Sequence, residues 1–247
     1  MNKDTFWSII DEVNSEVDRN DKKAVLIATE RKLISFSSSE IVDWHNIQKM
    51  YMDIAYRNNL WTACTATHSH DSDDGFIDFR SWLISQGKEV YMNALNDPDT
   101  LAEIDIPEGS ADFELYGYVA SYSYAEKMAL EKEGLKCTLS KYNAWLAENS
   151  TRLSEFFERY PQKNIGKDQR IADAYIRELS KEYDIYDVIN KQPLSKDTVE
   201  EIMSEIKLKS DIDSNWSILD IPKLLPRLYE KYDAGLEKEE GMNFMME

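Results

Sequence analysis

The residues best suited to chemistry lie in one short polar segment of the chain. Two histidines and three aspartates occur there: His68, His70, Asp71, Asp73 and Asp74. Imidazole and carboxylate groups are ligands that zinc, iron and manganese accept, and metal-dependent hydrolases use them. One hypothesis is therefore a metal-dependent hydrolase, or another enzyme, that uses the His68–Asp74 loop.

The same segment also suits a loop that holds no metal. A metal site there needs further ligands from elsewhere in the chain, and His45 is the only other histidine. Serine and aspartate just before a run of apolar residues at helical spacing are typical of helix N-caps. We therefore favour an exposed polar loop that ends in helix caps, and we expect no metal and no cofactor.

Two further residue pairs have catalytic side chains at helical spacing. Cys64 and His68 are four residues apart, as are Asp74 and Asp78, so each pair would share a helix face. Acids at this spacing are usually solvated, and the sequence contains no phosphate-binding loop, dinucleotide fingerprint or nucleophile elbow. The sequence therefore predicts no catalytic residue and favours a binding protein over an enzyme.

A helix with a distinctive composition follows the polar segment. Apolar residues recur at helical spacing from Phe76 and predict one helix that continues to about Leu95. Arg80 flanks the apolar stripe of this helix, and a buried unpaired charge would be costly. We therefore expect a partly buried Arg80 bonded to a carboxylate, namely Asp73, Asp74 or an acid from another helix.

Two other residues mark the same helix as a structural centre. Trp82 lies in this predicted helix, and Gly87 is predicted to lie in the helix interior. Glycine at an interior helical position costs about 1 kcal/mol relative to alanine. Close approach of another helix, or of a ligand, would explain a glycine there.

Several motifs in and around this helix occur together. Residues 72–91 read S-D-D-G-F-x-x-F-R-x-W-L-I-x-Q-G-x-x-x-Y, with Leu60-Trp61 before them and Asn96-Asp97-Pro98-Asp99 after them. Over about residues 1–130, these motifs and the early Phe6-Trp7 resemble the domain of unknown function 4240 family. The resemblance implies a bacterial domain without an assigned activity, so no site residue is carried over. Residues 68–71 depart from the glycine-containing sequence usual in that family, and histidine chemistry would be peculiar to this chain.

Helical periodicity extends over most of the chain. Only 8 glycines and 6 prolines occur in 247 residues, and this scarcity argues against turn-rich β architectures. Asp21 is a candidate N-cap, and Ser37 with Glu40 forms a capping box. We predict an all-α, multi-helix globular bundle with two helical subdomains, residues 1–135 and 136–247, divided near residues 134–140.

The net charge of −18 limits the classes of partner. Asp and Glu number 47 against 29 Lys and Arg. Such a chain repels nucleic acids and anionic membranes unless it carries a basic patch, and the sequence shows none. We therefore expect no nucleic-acid or membrane partner and favour a basic protein partner.

The acids are concentrated between Lys88 and Lys127, where no other basic residue occurs. This stretch is either a solvated surface or a docking face for the basic partner, and a tyrosine-rich helix within it could supply contact area. The predicted contact residues are four acids and two tyrosines: Glu103, Asp105, Asp112, Glu114, Tyr116 and Tyr118.

The remaining sequence features concern the compartment. Cys64 and Cys137 form neither a disulfide framework nor a zinc motif, and no apolar segment resembles a signal peptide or a membrane span. We expect a cytoplasmic protein. Its most concrete function is that of an immunity protein, which neutralises a cognate bacterial toxin by direct binding. The sequence leaves its oligomeric state open.

Overall fold

A computed structural model describes residues 1–67, 72–107, 109–132, 183–206 and 221–232 of the 247-residue chain. All regular structure in these ranges is helical, which confirms the predicted all-α fold. The elements are α1 Lys3–Glu16, α2 Lys22–Ile34, α3 Ser38–Ile54, α4 Asn58–Ala66, α5 Asp73–Ser85, α6 Lys88–Asn96, the 3-10 helix η1 Pro98–Glu103, α7 Glu114–Gly117, α8 Val119–Lys132, α9 Tyr186–Ile189, α10 Lys196–Glu205, α11 Ile221–Leu224 and α12 Pro226–Tyr232.

Local capping explains where α2 and α3 begin. Asp21 Oδ1 accepts a hydrogen bond from Ala24 N at 3.0 Å. At the start of α3, Ser37 Oγ accepts from Glu40 N at 3.2 Å, while Glu40 Oε2 accepts from Ser37 N at 3.0 Å. These bonds from Ser37 lower the pKa of Glu40. The predicted N-cap and capping box are therefore confirmed.

The chain folds into two compact units, each of which combines distant segments. Unit 1 contains Met1–Ile47 and Tyr118–Lys196, and unit 2 contains Gln48–Gly117 and Asp197–Glu247. The boundary predicted near residues 134–140 lies outside the described residues. The assignment of subdomains 1–135 and 136–247 therefore stays a prediction.

Large aromatic side chains form the core of unit 1. Phe6 on α1 packs against Trp44 on α3, with ring centroids 4.3 Å apart, and both are fully buried. Helix α2 packs between α1 and α8 through its contacts with both. Lys127 on α8, itself buried, donates to the carbonyl of Ile34 at 3.2 Å and so caps the end of α2.

Unit 2 has a second aromatic core around α5. Phe76, Phe79, Tyr51 and Tyr91 are all fully buried there. Tyr91 Oη donates to the carbonyl of Tyr51 at 2.6 Å, so the hydroxyl is satisfied inside the core. Burial raises the pKa of Tyr91 well above its ordinary value, and the phenol stays neutral.

The helix predicted from Phe76 to about Leu95 is two helices, and Gly87 separates them. Gly87 has φ 99° and ψ 168°, a conformation that only glycine adopts readily. The prediction that Gly87 lies in a helix interior is therefore wrong. The glycine serves the backbone of the turn between α5 and α6 rather than the close approach of a neighbour.

No helix in the described ranges is both long enough and apolar enough to cross a membrane.

Candidate functional site

The segment with the histidines falls mostly outside the described residues. His68, His70 and Asp71 lie there, while Asp73 and Asp74 are exposed in the first turn of α5. Within the part of the chain that the structure describes, no group of three His, Cys, Asp or Glu side chains is arranged to hold a metal ion. The expectation that this segment binds no metal stays a prediction.

The motif helix α5 begins at a serine cap. Ser72 Oγ accepts a hydrogen bond from Gly75 N at 3.1 Å, so of the serine and aspartate that the sequence offers as caps, the serine is the N-cap. The exposed Asp73 and Asp74 follow in the first turn, where negative charge stabilises the positive end of the helix. The serine and the two acids of the motif therefore start this helix.

Arg80 lies between two aromatic rings inside unit 2. Its guanidinium carbon is 4.8 Å from the ring centroid of Phe76 and 4.9 Å from that of Tyr56. Nε donates to the carbonyl of Phe76 at 3.2 Å, and Nη1 donates to the carbonyl of Met52 at 2.8 Å. Arg80 is only 6% exposed, so the predicted burial is confirmed.

The prediction that Arg80 is bonded to a carboxylate is wrong for the part of the chain that the structure describes. None of the described acids, Asp73 and Asp74 included, forms an ion pair with it. Met52 lies in the last turn of α3, where carbonyls lack helical partners and the helix dipole is negative, so Arg80 caps that end. Burial lowers the pKa of Arg80, and the charge of Asp53 partly opposes this shift.

The rest of α5 is enclosed on several sides. Trp82 is 3% exposed and packs on Phe79 with centroids 5.4 Å apart, while Ser81 is fully buried. Helix α7 lies against α5, and a Cβ on Gly117 would be 3.1 Å from Ser81 Oγ. The motif therefore builds the centre of unit 2, as the sequence predicted for Trp82 and Arg80.

The acidic stretch binds a basic helix of the same chain. Asp99, which is 6% exposed, accepts hydrogen bonds from Arg227 N at 3.1 Å, Leu228 N at 3.0 Å and Arg227 Nε at 3.1 Å. Glu103 accepts from Arg227 Nη1 at 2.6 Å. These contacts hold α12 on η1, and the two carboxylates raise the pKa of Arg227.

Further contacts complete this docking of α12. Lys231 Nζ donates to the carbonyls of Ala102 and Ile104, and Tyr232 Oη donates to the carbonyl of Ile106. Leu228 is fully buried. This contact was not predicted from the sequence, although Arg227 and Lys231, four residues apart on one helix face, are the signal that could have indicated it.

The four predicted contact acids differ in their surroundings. Asp105 and Glu114 are exposed, and Asp112 is partly buried. Glu103 is exposed as well, but it is paired with Arg227. Asp105 and Glu114 are therefore the two predicted contact acids that are exposed without an ion pair to Arg227.

The two predicted contact tyrosines have opposite surroundings. Tyr116 is fully buried, with its ring 5.2 Å from that of Phe113, and its carbonyl accepts from Gln48 Nε2 at 2.9 Å. The prediction that Tyr116 contacts a partner is therefore wrong, because α7 packs this face against α5. Tyr118 is 43% exposed and belongs to unit 1, so the six predicted residues do not share one unit.

Comparison with known proteins identifies a family for this chain. A family model described as "Protein of unknown function (DUF4240)" matches residues 1–126, a range that contains the whole S-D-D-G-F-x-x-F-R motif. This match confirms the resemblance predicted over about residues 1–130. No curated protein and no solved structure matches the chain.

Proposed function

We propose that this chain, which belongs to the DUF4240 family, is a module that binds a basic protein partner. In its most concrete form it is a cytoplasmic immunity protein that neutralises a cognate bacterial toxin by direct binding. The observation that carries the proposal is the contact between the acidic stretch and the chain's own Arg227 and Lys231. The acidic segment has the geometry to bind cationic side chains.

The exposed acids extend this property to another molecule. Glu114 forms no ion pair with a described residue, and Asp105 is solvent-exposed on the same unit. The net charge of −18 produces a negative field that attracts a cationic protein over a distance of about a Debye length, ~8 Å at physiological salt. A basic partner would therefore associate faster than a neutral one.

The motif helix supports a binding role more than a catalytic one. Its arginine is bound by backbone carbonyls and covered by rings, and Asp73 and Asp74 are exposed residues of its first turn. Among the described residues, no contact supports hydrolysis at the His68–Asp74 loop as the arginine contacts support binding.

The test uses the protein encoded next to this chain's gene as the candidate partner. We expect that neighbour to be a basic toxin, and we expect the purified pair to associate in a surface-binding measurement. Because exposed charges are screened by salt, the association rate should fall steeply between about 50 and 500 mM sodium chloride.

Two outcomes would count against the proposal. One is a complex whose association rate does not change with salt. The acids would then only keep the surface solvated and would not attract the partner. The other is about one equivalent of zinc, manganese or iron in protein purified without a histidine tag. That result would favour the metal-dependent hydrolase instead.

A further inference from the structure

Three aromatic rings from separate segments of unit 2 are in mutual contact. Trp61 on α4 stacks on Phe76 of α5, with ring centroids 4.9 Å apart and planes 20° apart. Tyr56, in the segment between α3 and α4, lies 5.8 Å from Phe76 and 6.3 Å from Trp61 between ring centroids. The three rings therefore form one cluster, which we call the aromatic notch.

Two of the three rings in the aromatic notch are open to solvent. Tyr56 is 59% exposed and Trp61 is partly exposed, whereas Phe76, which contacts both, is fully buried. The planes of Tyr56 and Trp61 are inclined at 60°, so the two rings diverge and leave a wedge between them. Tyrosine and tryptophan rings that stay at the surface are typical of protein interfaces.

The polar atoms of the two open rings are available as hydrogen-bond donors. Neither Tyr56 Oη nor Trp61 Nε1 has a hydrogen-bond partner among the residues that the structure describes. An indole N–H can only donate, and a phenol hydroxyl donates readily. An occupant that suits the aromatic notch therefore supplies apolar surface together with hydrogen-bond acceptors.

Arg80 restricts the charge that the aromatic notch accepts. Its guanidinium carbon lies 4.9 Å from the ring centroid of Tyr56 and 4.8 Å from that of Phe76, so it would repel a second cation at these rings. Arg80 offers little to an anion, because it is 6% exposed and two of its nitrogens already donate to carbonyls. The net charge of −18 also repels anions. The notch therefore suits an uncharged occupant.

We propose that the aromatic notch is a docking surface for an uncharged, proline-rich segment of a partner protein. Such segments adopt the polyproline II conformation, in which proline rings pack on aromatic faces and the backbone carbonyls remain open to donors. Proline has no backbone N–H, so the segment supplies acceptors without competing donors. Because this conformation is formed before binding, little entropy is lost on docking to a surface of two rings.

The segment comes from another protein rather than from this chain or a second copy of it. The chain has 6 prolines, and the closest two, Pro222 and Pro226, are four residues apart. These two belong to helices α11 and α12, not to an extended segment. The chain therefore contains no P-x-x-P sequence that could occupy the notch.

This inference goes beyond the proposed function and does not depend on it. A basic partner is attracted by charge, so its association rate falls as salt rises. An uncharged segment that packs on rings gains nothing from that field, and its affinity should not fall with salt. Salt therefore distinguishes the two kinds of binding.

Tyr118 in unit 1 provides a matched control for an exposed tyrosine. It is 43% exposed and its ring lies 6.2 Å from that of Tyr122. Among the described residues, neither a tryptophan ring nor a guanidinium contacts it. A change at Tyr118 therefore removes an exposed ring without altering the notch.

The experiment titrates a short acetylated, amidated P-x-x-P peptide, with uncharged residues between its prolines, into full-length protein labelled on tyrosine rings and tryptophan indoles. One control peptide has alanine in place of each proline, and two others carry arginine or glutamate between the prolines. We expect the resonances of Tyr56 and Trp61 to shift with the uncharged proline peptide, equally at about 50 and 500 mM sodium chloride. They should not shift with the alanine peptide.

Substitutions of exposed tyrosines then locate the binding. Tyr56→Leu should weaken binding of the proline peptide about two- to tenfold, the range expected for one aromatic contact. Tyr56→Phe, which keeps the ring and removes the hydroxyl, should recover part of the loss. Tyr118→Leu should leave the affinity unchanged, and thermal melts establish that each variant folds.

Each other outcome overturns the inference. Absent shifts at millimolar peptide, or equal shifts with the alanine peptide, would show that the rings do not recognise proline. Tighter binding of the glutamate peptide would show a carboxylate site at Arg80, and tighter binding of the arginine peptide would show that Arg80 does not exclude cations. Equal losses in Tyr56→Leu and Tyr118→Leu would show unspecific binding to exposed rings. None of these results bears on the proposed function, which is measured with the neighbouring gene's product.

Discussion

Two arginines in unit 2 are held in opposite ways. Arg80 is buried at the motif helix, where rings cover its guanidinium and carbonyls accept its hydrogen bonds. Arg227 has a side chain that is 44% exposed at the edge of unit 2, where Asp99 and Glu103 bind it directly. Burial lowers the pKa of Arg80, whereas Glu103 and Asp99 raise that of Arg227.

The difference shows where this acidic chain uses its carboxylates. The core around α5 holds its cation without an acid, because the end of α3 supplies carbonyls and a negative dipole. Carboxylates bind the other arginine, because Asp99, which is 6% exposed, and the exposed Glu103 both accept hydrogen bonds from Arg227. The motif therefore builds the core around α5, while Asp99 and Glu103 hold α12 on η1.

The largest expected effect concerns the buried aromatic face beside α5. Tyr116→Ala should lower the free energy of unfolding by about 3–5 kcal/mol, since it removes a fully buried ring. Tyr118→Ala, at an exposed position, should change it by less than about 0.5 kcal/mol. Urea denaturation of both variants measures the contrast, and equal effects would place Tyr116 at the surface.

Arg80→Ala should have the second-largest effect and should lower the free energy of unfolding by about 2–4 kcal/mol. The change removes charge-assisted hydrogen bonds and ring contacts, and it leaves the carbonyl of Met52 without its donor. Arg80→Lys should recover only part of the loss, because an ammonium cannot stack its plane between the two rings. A thermal melt of Arg80→Ala that matches wild type would contradict this role.

Asp99→Ala should lower the free energy of unfolding by about 1–3 kcal/mol, and its effect should be confined to α12. The carboxylate accepts hydrogen bonds from the backbone N–H of Arg227 and from that of the fully buried Leu228, so its loss leaves the buried Leu228 donor unsatisfied. We expect faster hydrogen exchange in α12 with little change in α5. Uniform acceleration across unit 2 would mean that the two regions are not separable.

Arg227→Ala should have the smallest effect, at most about 1 kcal/mol, because exposed ion pairs contribute little. Its effect should shrink further in 1 M sodium chloride, where the Debye length is about 3 Å. The effect of Arg80→Ala should not change with salt, since carbonyls and rings hold that residue. A salt-dependent loss at Arg80 would remove the distinction between the two arginines.

The sequence predicted those features that depend on neighbours in the chain. The Asp21 cap, the Ser37–Glu40 capping box and the Ser72 cap each need only residues three positions apart. The burial of Arg80 also followed from its position beside an apolar stripe. Local spacing was therefore enough to predict the helical fold and the start of the motif helix.

Features that depend on distant segments were not predictable in this way. The partner of Arg80 is a backbone carbonyl on another helix, and a carbonyl has no sequence signature. The break at Gly87 depends on a positive φ that helical periodicity does not reveal. The burial of Tyr116 likewise depends on how separate segments pack.

Reversing the charge of Asp105 and Glu114 tests whether these exposed acids recruit a basic partner. The variant carries Asp105→Lys and Glu114→Lys, and its control carries Asp197→Lys and Glu201→Lys, the same charge change at exposed acids on α10. Association with the neighbouring gene's product is measured at low salt, with thermal melts to establish that both variants fold. We predict that the first variant associates at least about tenfold more slowly than the control. Equal association rates for the two variants would mean that Asp105 and Glu114 do not attract the partner.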